Sequence, residues 1–546
     1  MIICGIKITH DGGVALIDNG RLVFSVEMEK LSNNPRHRGI DDLSVVFDLL
    51  DAHGYRPGDV DRFVVDGWRK TRKLRLWGGQ EVALDLAPYR RGLLDADPLR
   101  PFPGEVLDLA YTSYPHYAGH VAGAYCSSPF ARTAEPSYVL CWDGAMFPFL
   151  YHYDPGTGRL ESLGALFHML GDTYHTLAQL YPPFDAPIEW PHTLALPGKI
   201  MAYIALGRPD RRAVKALAAL QRAAEHAVLG DGPFPDHRLT ERAGRRVLAL
   251  MREGLSVPGV APQDMIASIH AFLGRTLVDR LAERIDADRR RTGNLCLVGG
   301  CALNIKWNRD IRESGVARRV WVPPFPNDAG SALGTACCEL LRASDAKYLT
   351  WDAYAGPPLE DRGIPGGWTA SACSPAGLAG RLHRDGEPVL VLHGPAELGP
   401  RALGHRSVVA PAVDPAMKQR LNDVKDREDY RPVAPICLEA RAPEVFSPGV
   451  PDPYMLFDHD VREPWRSRIP AICHLDGTAR VQTVGAENDP TIFELLTEYE
   501  RLSGIPVLCN TSANLKGSGF FPDLRSAMEW GRVPAVWSDG TLYEKR

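Results

Sequence analysis

A duplicated α/β fold is what this chain predicts, on three observations. The opening segment Met1-Ile-Ile-Cys-Gly-Ile-Lys-Ile-Thr-His10-Asp11-Gly12-Gly13 reads as an apolar strand running into a glycine turn, with a hairpin about Asn19-Gly20 after it. The same grammar returns at Leu140-Cys-Trp-Asp143-Gly144, followed by a turn at Asp154-Pro-Gly-Thr-Gly and another strand around Leu163. Two such copies imply like halves flanking a cleft. Third, carboxylates recur where strands end: Asp143 in the second copy, and Asp328 after Arg319-Val-Trp-Val-Pro-Pro-Phe-Pro-Asn. The carboxyl ends of strands are where open α/β sheets bind ligands.

Taken in order, a helix fits Asp41 to His53, with Val45, Val46, Leu49 and Leu50 on one face and Gly54 as its stop. The small-residue stretch from His116 to Tyr125 also reads as helical. From about 205 to 290 the chain turns Ala/Leu/Arg-rich with helical spacing, as in Val214 to Leu229 and Met265 to Ile285. Stacked helices without chemistry are the plain reading there. Asn294-Leu-Cys-Leu-Val-Gly299-Gly300-Cys-Ala-Leu-Asn304 is a buried strand ending in paired glycines. They let backbone approach a ligand closely, and a tight strand-to-helix turn reads equally well. Tyr354 to Pro365 is Pro/Gly-rich, a linker or an ordered connecting loop. The expected domains are therefore 1–353, a linker over 354–365, and 366–546.

Composition narrows the class. With 546 residues, 45% of them hydrophobic, the chain can bury the cores of two or more domains. A net charge of -5 supplies no global reason to bind nucleic acid or an anionic membrane. The eleven cysteines lack a C-x2-C pair, which disfavours zinc ribbons and suggests reduced thiols in the cytoplasm. No run of about eighteen apolar residues occurs, so neither a membrane span nor an export signal is expected.

His116 and His120 stand four apart, and a helix would turn both imidazoles to one face, where they could hold a metal from two sides. Alone, such a pair is more often solvated or satisfied in a core. Asp143 alone is a turn former and Asp328 a helix N-cap. Convergence of all four would make a mixed N/O site suited to Fe, Mn or Zn. No phosphate-binding G-x4-G-K-[ST] loop is present, since Leu196-Pro-Gly198-Lys199-Ile-Met201 lacks its spacing and hydroxyl. The second region instead concentrates cations, in Glu397-Leu-Gly-Pro-Arg401-Ala-Leu-Gly404-His405-Arg406-Ser407 and Asn422-Asp-Val-Lys425-Asp-Arg427-Glu428-Asp-Tyr-Arg431. Guanidinium forks and an ammonium suit phosphate oxygens. On composition alone a solvated face is the commoner reading of such a run, and the interleaved Gly, Pro and Ala argue against it. Asp476-Gly-Thr-Ala-Arg480 and Asn510-Thr-Ser512 add a further Arg and hydrogen-bonding groups.

These blocks, with Gly198-Lys199-x-Met201, Asp328-Ala-Gly, Gly399-Pro-Arg-Ala-Leu-Gly404 and Arg431-Pro-x-Ala-Pro435, resemble the O-carbamoyltransferases, which decorate antibiotics and nodulation factors in specialised metabolism. The resemblance spans nearly the whole chain. It implies an actin/hexokinase-like N-terminal domain similar to the tRNA threonylcarbamoyl transferase. The C-terminal domain would be similar to threonylcarbamoyl-adenylate synthase. It further implies that carbamoyl phosphate and ATP, with Mg2+, form carbamoyl adenylate in the C-terminal domain, and that the N-terminal domain passes the carbamoyl group to a small-molecule hydroxyl. The family's metal, iron(II) or another divalent ion, falls on His116, His120, Asp143 and Asp328. Its phosphate-handling cations fall on Arg401, Lys425, Arg431 and Arg480, with Arg406, Asn510 and Ser512 beside them. Asp11, Gly144, Lys199, Gly299, Gly300 and Asn304 would bind the adenylate, and His10 sits where a base could take the acceptor's proton. The family suggests a homodimer.

The chain departs from the family pattern at Glu27-Met-Glu29-Lys30-Leu, at Arg36-His37 where Lys-His is usual, at Val433 and at Ala513. These positions bear on pocket shape and acceptor choice. Two rival readings are an RNA-modifying threonylcarbamoyl transferase and a non-catalytic nucleotide-binding module.

Overall fold

The computed structural model describes residues 1–68, 71–89, 97–230, 240–290 and 292–545. The chain forms two compact units: Met1–Ile8, Val14–Leu22 and Ile40–Thr350 make the first, and Thr9–Gly13, Val23–Gly39 and Trp351–Arg546 the second.

Most of the first unit is carried by two mixed sheets with a shared strand order. One runs Arg21–Glu27, Gly13–Asp18, Ile2–Lys7, Arg62–Asp66, Leu109–Tyr114, Phe102–Val106. The other runs Arg159–Ala165, Phe149–Asp154, Ser137–Cys141, Asn294–Val298, Arg319–Trp321. In each, the first strand lies between the second and a parallel fourth. The duplicated grammar in the sequence thus has a topological counterpart. The Asn19-Gly20 turn has φ of 48° and 79°, both left-handed, as a two-residue hairpin loop of the primed type requires.

Two helices lie between these elements and carry the site. His116–Cys126 is buried along its whole length and packs against Ser331–Ala343, itself buried from Ser331 to Leu341. The sequence makes this contact close: a Cβ on Gly334 would sit 2.3 Å from the Gly119 carbonyl oxygen, so only glycine lets the backbones meet. The helices Arg211–Leu229, Glu241–Gly254 and Pro262–Ala287 stack as their periodicity predicts. The helix expected over Asp41–His53 spans Ser44–Ala52 instead. Its first residues are drawn off by the neighbouring hairpin, where Leu43 N–H donates to the Arg75 carbonyl at 2.9 Å and Arg75 N–H to the Asp41 carbonyl at 3.0 Å.

The second unit centres on an eight-stranded mixed sheet: Trp368–Ala372, Thr541–Lys545, Ala535–Ser538, Val389–Leu392, Arg406–Pro411, Val507–Ser512, Ala434–Leu438, Gln482–Val484. Its core is packed by Pro375–Asp385, Ala416–Val424 and Pro490–Ser503. The stretch 354–365 belongs to this unit and is tied into it: Gly356 N–H donates to the Ala396 carbonyl at 3.0 Å and Glu360 N–H to the Pro522 carbonyl at 2.8 Å. Among the described residues no helix is long and apolar enough to cross a membrane.

Candidate functional site

Four side chains far apart in sequence converge in the first unit. His116 and His120 share a helix face by their i, i+4 spacing, and their Nε2 atoms lie 3.0 Å apart. Asp328, in the short turn that opens Ser331–Ala343, places Oδ1 at 3.2 Å from His116 Nε2 and 3.4 Å from His120 Nε2. Asp143, just beyond the Ser137–Cys141 strand, places Oδ2 at 3.9 Å from His116 Nε2. One ligand atom from each of the four lies within 4.8 Å of all the others.

The residues around them show whether a cation fits. Asp66, at the end of its strand, places Oδ2 2.8 Å from His116 Nδ1. A carboxylate there holds the ring proton on Nδ1 and turns the Nε2 lone pair toward Asp328. Two imidazole nitrogens and two carboxylates then face one another as electron-pair donors, which a divalent cation relieves. The two-nitrogen, two-oxygen set suits Fe, Mn or Zn. Burial alone would favour the neutral His116 ring, but Asp66 and, more weakly, Asp328 overcome it and push its pKa up to about 9. A metal competes with that proton. Buried Lys7 places Nζ 2.9 Å from Asp66 Oδ2 and 3.1 Å from Asp328 Oδ2; the desolvation of its ammonium is outweighed by these carboxylates, which hold its pKa above the usual range.

Asp143 is oriented by two donors, the Tyr89 hydroxyl to Oδ2 at 2.9 Å and Gly300 N–H to Oδ1 at 2.9 Å. That second bond depends on Gly299, whose φ is 88° and where a Cβ would lie 2.4 Å from the Trp142 carbonyl oxygen. Gly144 packs against the Asp172 carboxylate. Asn304 caps the Ile305–Glu313 helix through Trp307 N–H at 3.2 Å, and Lys199 lies half-buried on the helix Leu196–Tyr203.

The second unit gathers the opposite charge. Arg401, Arg427, Arg431 and Arg480, with Arg36 from the segment Val23–Gly39, are close enough to destabilise one another's charge. Burial, then the neighbouring guanidiniums, pulls Arg401 well below the usual arginine range, and the same causes lower Arg427, Arg431 and Arg480. Arg401 Nε and Arg480 Nε are buried with no hydrogen-bond partner. Unmet buried donors on crowded cations are what an anion would satisfy. Lys425 donates to the Ser512 carbonyl at 2.8 Å, the Asn514 carbonyl at 2.7 Å and Asn514 Oδ1 at 2.7 Å, so it holds the turn after the Val507–Ser512 strand. Arg427 reaches Thr511 Oγ1 at 3.0 Å. Asn510 Nδ2 donates to the Ala402 carbonyl at 3.1 Å and Gln482 Oε1 at 3.0 Å, and the Ser512 hydroxyl to Asn514 Oδ1 at 2.6 Å. Buried Arg406 donates to the carbonyls of His393 at 2.8 Å, His405 at 3.1 Å and Pro357 at 3.3 Å.

The loop bearing Arg401 is organised by Glu397, whose Oε1 accepts N–H bonds from Leu403 at 2.7 Å, His405 at 2.9 Å and Arg406 at 3.0 Å. Lys30 Nζ bonds the Gly399 carbonyl at 2.9 Å and Glu27 Oε1 at 2.6 Å. Also in this unit, the Asp11 carboxylate meets two imidazoles, His10 Nδ1 at 3.0 Å and His37 Nδ1 at 2.8 Å. A carboxylate at Nδ1 fixes the orientation of each ring.

Sequence reasoning missed Lys7, Asp66 and Tyr89 in the first cluster, and assigned no role to Arg36 or Arg427 in the second. Asp66 had a signal: Phe63-Val-Val-Asp66-Gly67 repeats the strand and Asp-Gly pattern used for Asp143. Tyr89 had none.

Comparison with known proteins places these features in context. Residues 2–91 and 106–337 match the family model described as carbamoyltransferase N-terminus, and residues 380–533 the carbamoyltransferase C-terminus. Nodulation protein U of Rhizobium tropici is 46% identical over 564 residues, covering 100% of this chain and 96% of that protein. The 3'-hydroxymethylcephem-O-carbamoyltransferase of Streptomyces clavuligerus is 31% identical over 551 residues, covering 100% and 99%. The crystal structure of T. kodakarensis HypF aligns with a TM-score of 0.29 at 13% identity over 63% of this chain and 49% of that one, too slight a likeness to carry an argument.

Proposed function

As a member of the carbamoyltransferase family, this chain is a carbamoyltransferase enzyme, and we propose that it carries a carbamoyl group to a small-molecule hydroxyl in two half-reactions. In the first, water cleaves carbamoyl phosphate to carbamate and phosphate, and a carbamate oxygen then attacks the α-phosphorus of Mg-ATP, giving carbamoyl adenylate and releasing pyrophosphate. In the second, the acceptor oxygen attacks the carbamoyl carbon and AMP leaves. The observation that carries this reading is the presence in one chain of a cation-seeking and an anion-seeking cluster, one for each half-reaction.

For adenylate formation, the unmet donors of Arg401 and Arg480 bind phosphoryl oxygens, with Arg431 adding charge. Lys425 keeps the turn Ser512–Asn514 in place through its three bonds, and Arg406 and Glu397 shape the loop on which Arg401 stands. Positioning and charge neutralisation are what phosphoryl chemistry demands of a protein. For transfer, a divalent ion, iron(II) or another, held by His116, His120, Asp143 and Asp328 would supply Lewis-acid neutralisation of the leaving phosphate's charge. Asp66 and Lys7 orient those ligands, and the backbone at Gly299-Gly300 lies against Asp143. His10, held at Nδ1 by Asp11, takes the acceptor's proton on Nε2.

The acceptor class follows from the streptomycete relative, named for a hydroxymethyl cephem. The purified chain should release pyrophosphate only when carbamoyl phosphate is present, and a hydroxymethyl cephem or another hydroxyl compound should gain the mass of one carbamoyl group. Pyrophosphate release indifferent to carbamoyl phosphate would sink the first half-reaction. Release without a mass gain in any of a broad set of hydroxyl compounds would sink the second.

A further inference from the structure

His393 and His405 flank the loop that carries Glu397 and Arg401, and its neck is closed by a bond from His393 N–H to the His405 carbonyl at 3.2 Å. Asp489, the N-cap of Pro490–Ser503, stands beside them. All three are buried, at 6%, 7% and 3% exposure, so each polar atom needs a partner from within the fold.

With both imidazoles neutral, their protons do not supply one. His405 Nδ1 lies 2.7 Å from the Pro395 carbonyl oxygen and must donate to it. In the neutral ring this leaves Nε2 as a lone pair, aimed at Asp489 Oδ2 at 3.5 Å, and two acceptors cannot bond each other. Asp489 Oδ2 has no hydrogen-bond partner, and neither has His393 Nε2. Asp489 Oδ1 is already used by Ile492 N–H at 3.0 Å. The His393 and His405 ring centroids are 3.9 Å apart, and one ligand atom from each of the three residues lies within 4.8 Å of the other two. Tyr354 closes the outer face of His405, stacked at 3.7 Å.

We propose that His393, His405 and Asp489 form a second metal site, which takes one zinc-class divalent cation. Two imidazoles and a carboxylate leave a fourth position for water, a set that borderline cations prefer over Mg2+ or Ca2+. The Pro395 carbonyl is the outer partner that orients His405. The ion staples the neck of the 393–405 loop to the start of Pro490–Ser503, and so steadies the loop that presents Arg401. The site shares no ligand with the His116 cluster and is independent of the function proposed above.

Cobalt(II) is the probe, because its visible d–d absorption reports nitrogen and oxygen ligation directly. Metal-depleted protein should bind two equivalents. A His116→Ala/His120→Ala double variant should retain one, and adding His393→Gln or Asp489→Asn should abolish it; Asp489→Asn keeps the Oδ1 cap on Ile492. If the double variant does not fold, the same two substitutions in the otherwise unchanged chain should lower two equivalents to one. Binding of no cobalt by the folded double variant overturns the site, as does binding indifferent to both His393→Gln and Asp489→Asn. In that case a buried imidazolium at His405 paired with Asp489 is the occupant.

Discussion

The two polar clusters of this chain are electrostatic opposites, built by opposite means. In the first unit, lone pairs of His116, His120, Asp143 and Asp328 face one another, and the elements that bring them together are a buried helix, the end of the Ser137–Cys141 strand and the turn that opens Ser331–Ala343. In the second, guanidiniums face one another and stand mainly on loops, with Arg401 between Gly399 and Gly404 and Arg431 after a short helical segment. In the rigid cluster Lys7 bridges Asp66 and Asp328 and offsets part of their charge, while His116, His120 and Asp143 keep donors for a cation. In the loop cluster Arg401 and Arg480 keep unmet buried donors. A permanent ligand suits the first and a ligand that comes and goes suits the second.

If that contrast holds, the largest loss comes from removing a ligand in the first cluster. Asp328→Ala or His116→Ala should empty the metal site and lower carbamoyl transfer by several kcal/mol of transition-state stabilisation, about a thousandfold or more. Metal analysis beside a transfer assay checks this, and unchanged metal content in both variants contradicts the ligand set. His10→Asn comes next: pyrophosphate release should continue while transfer falls by roughly 10²–10⁴-fold. Near-normal transfer by this variant from mildly acidic to mildly alkaline pH would exclude an essential base there.

The second cluster is broken by Arg431→Ala, Arg480→Ala or Lys425→Ala, each expected to cost roughly 10²–10³-fold in adenylate formation. Supplying preformed carbamoyl adenylate should restore acceptor carbamoylation, which separates the two clusters by function. Failure of rescue in all three would argue for a single shared site. The smallest effect sharpens the first cluster from outside: Asp66→Asn keeps an acceptor near His116 but removes the charge, and metal affinity should drop about 10–100-fold. A competition titration with a chromogenic chelator measures it, and an affinity unmoved by the change would reduce Asp66 to a packing residue.

Much of this was legible in the sequence because it is encoded locally. Periodicity and turn chemistry announced the repeated strand, Asp-Gly turn and hairpin, and Asn19-Gly20 takes left-handed φ at both positions. The spacing of His116 and His120 needed only helix geometry to share a face. The cation-rich runs around Arg401 and Lys425 stood out by composition and glycine interleaving, although the run itself did not reveal that Lys425 and Arg406 would spend their donors on backbone carbonyls. Resemblance to a family joined these blocks into one activity.

What only the tertiary structure decided is everything that depends on distance in space between residues distant in the chain. Asp66 meets His116 across 50 positions, Tyr89 meets Asp143 across 54, and Lys7 bonds Asp66 across 59. No local pattern constrains such pairs, since a buried polar group finds whichever partner the packing of sheets and helices delivers. The same holds for the placement of Thr9–Gly13 and Val23–Gly39 with the second unit, which brings Arg36 among its guanidiniums. Likewise His393, His405 and Asp489 are three unremarkable residues in sequence, and their unmatched lone pairs exist only because the fold buries them together.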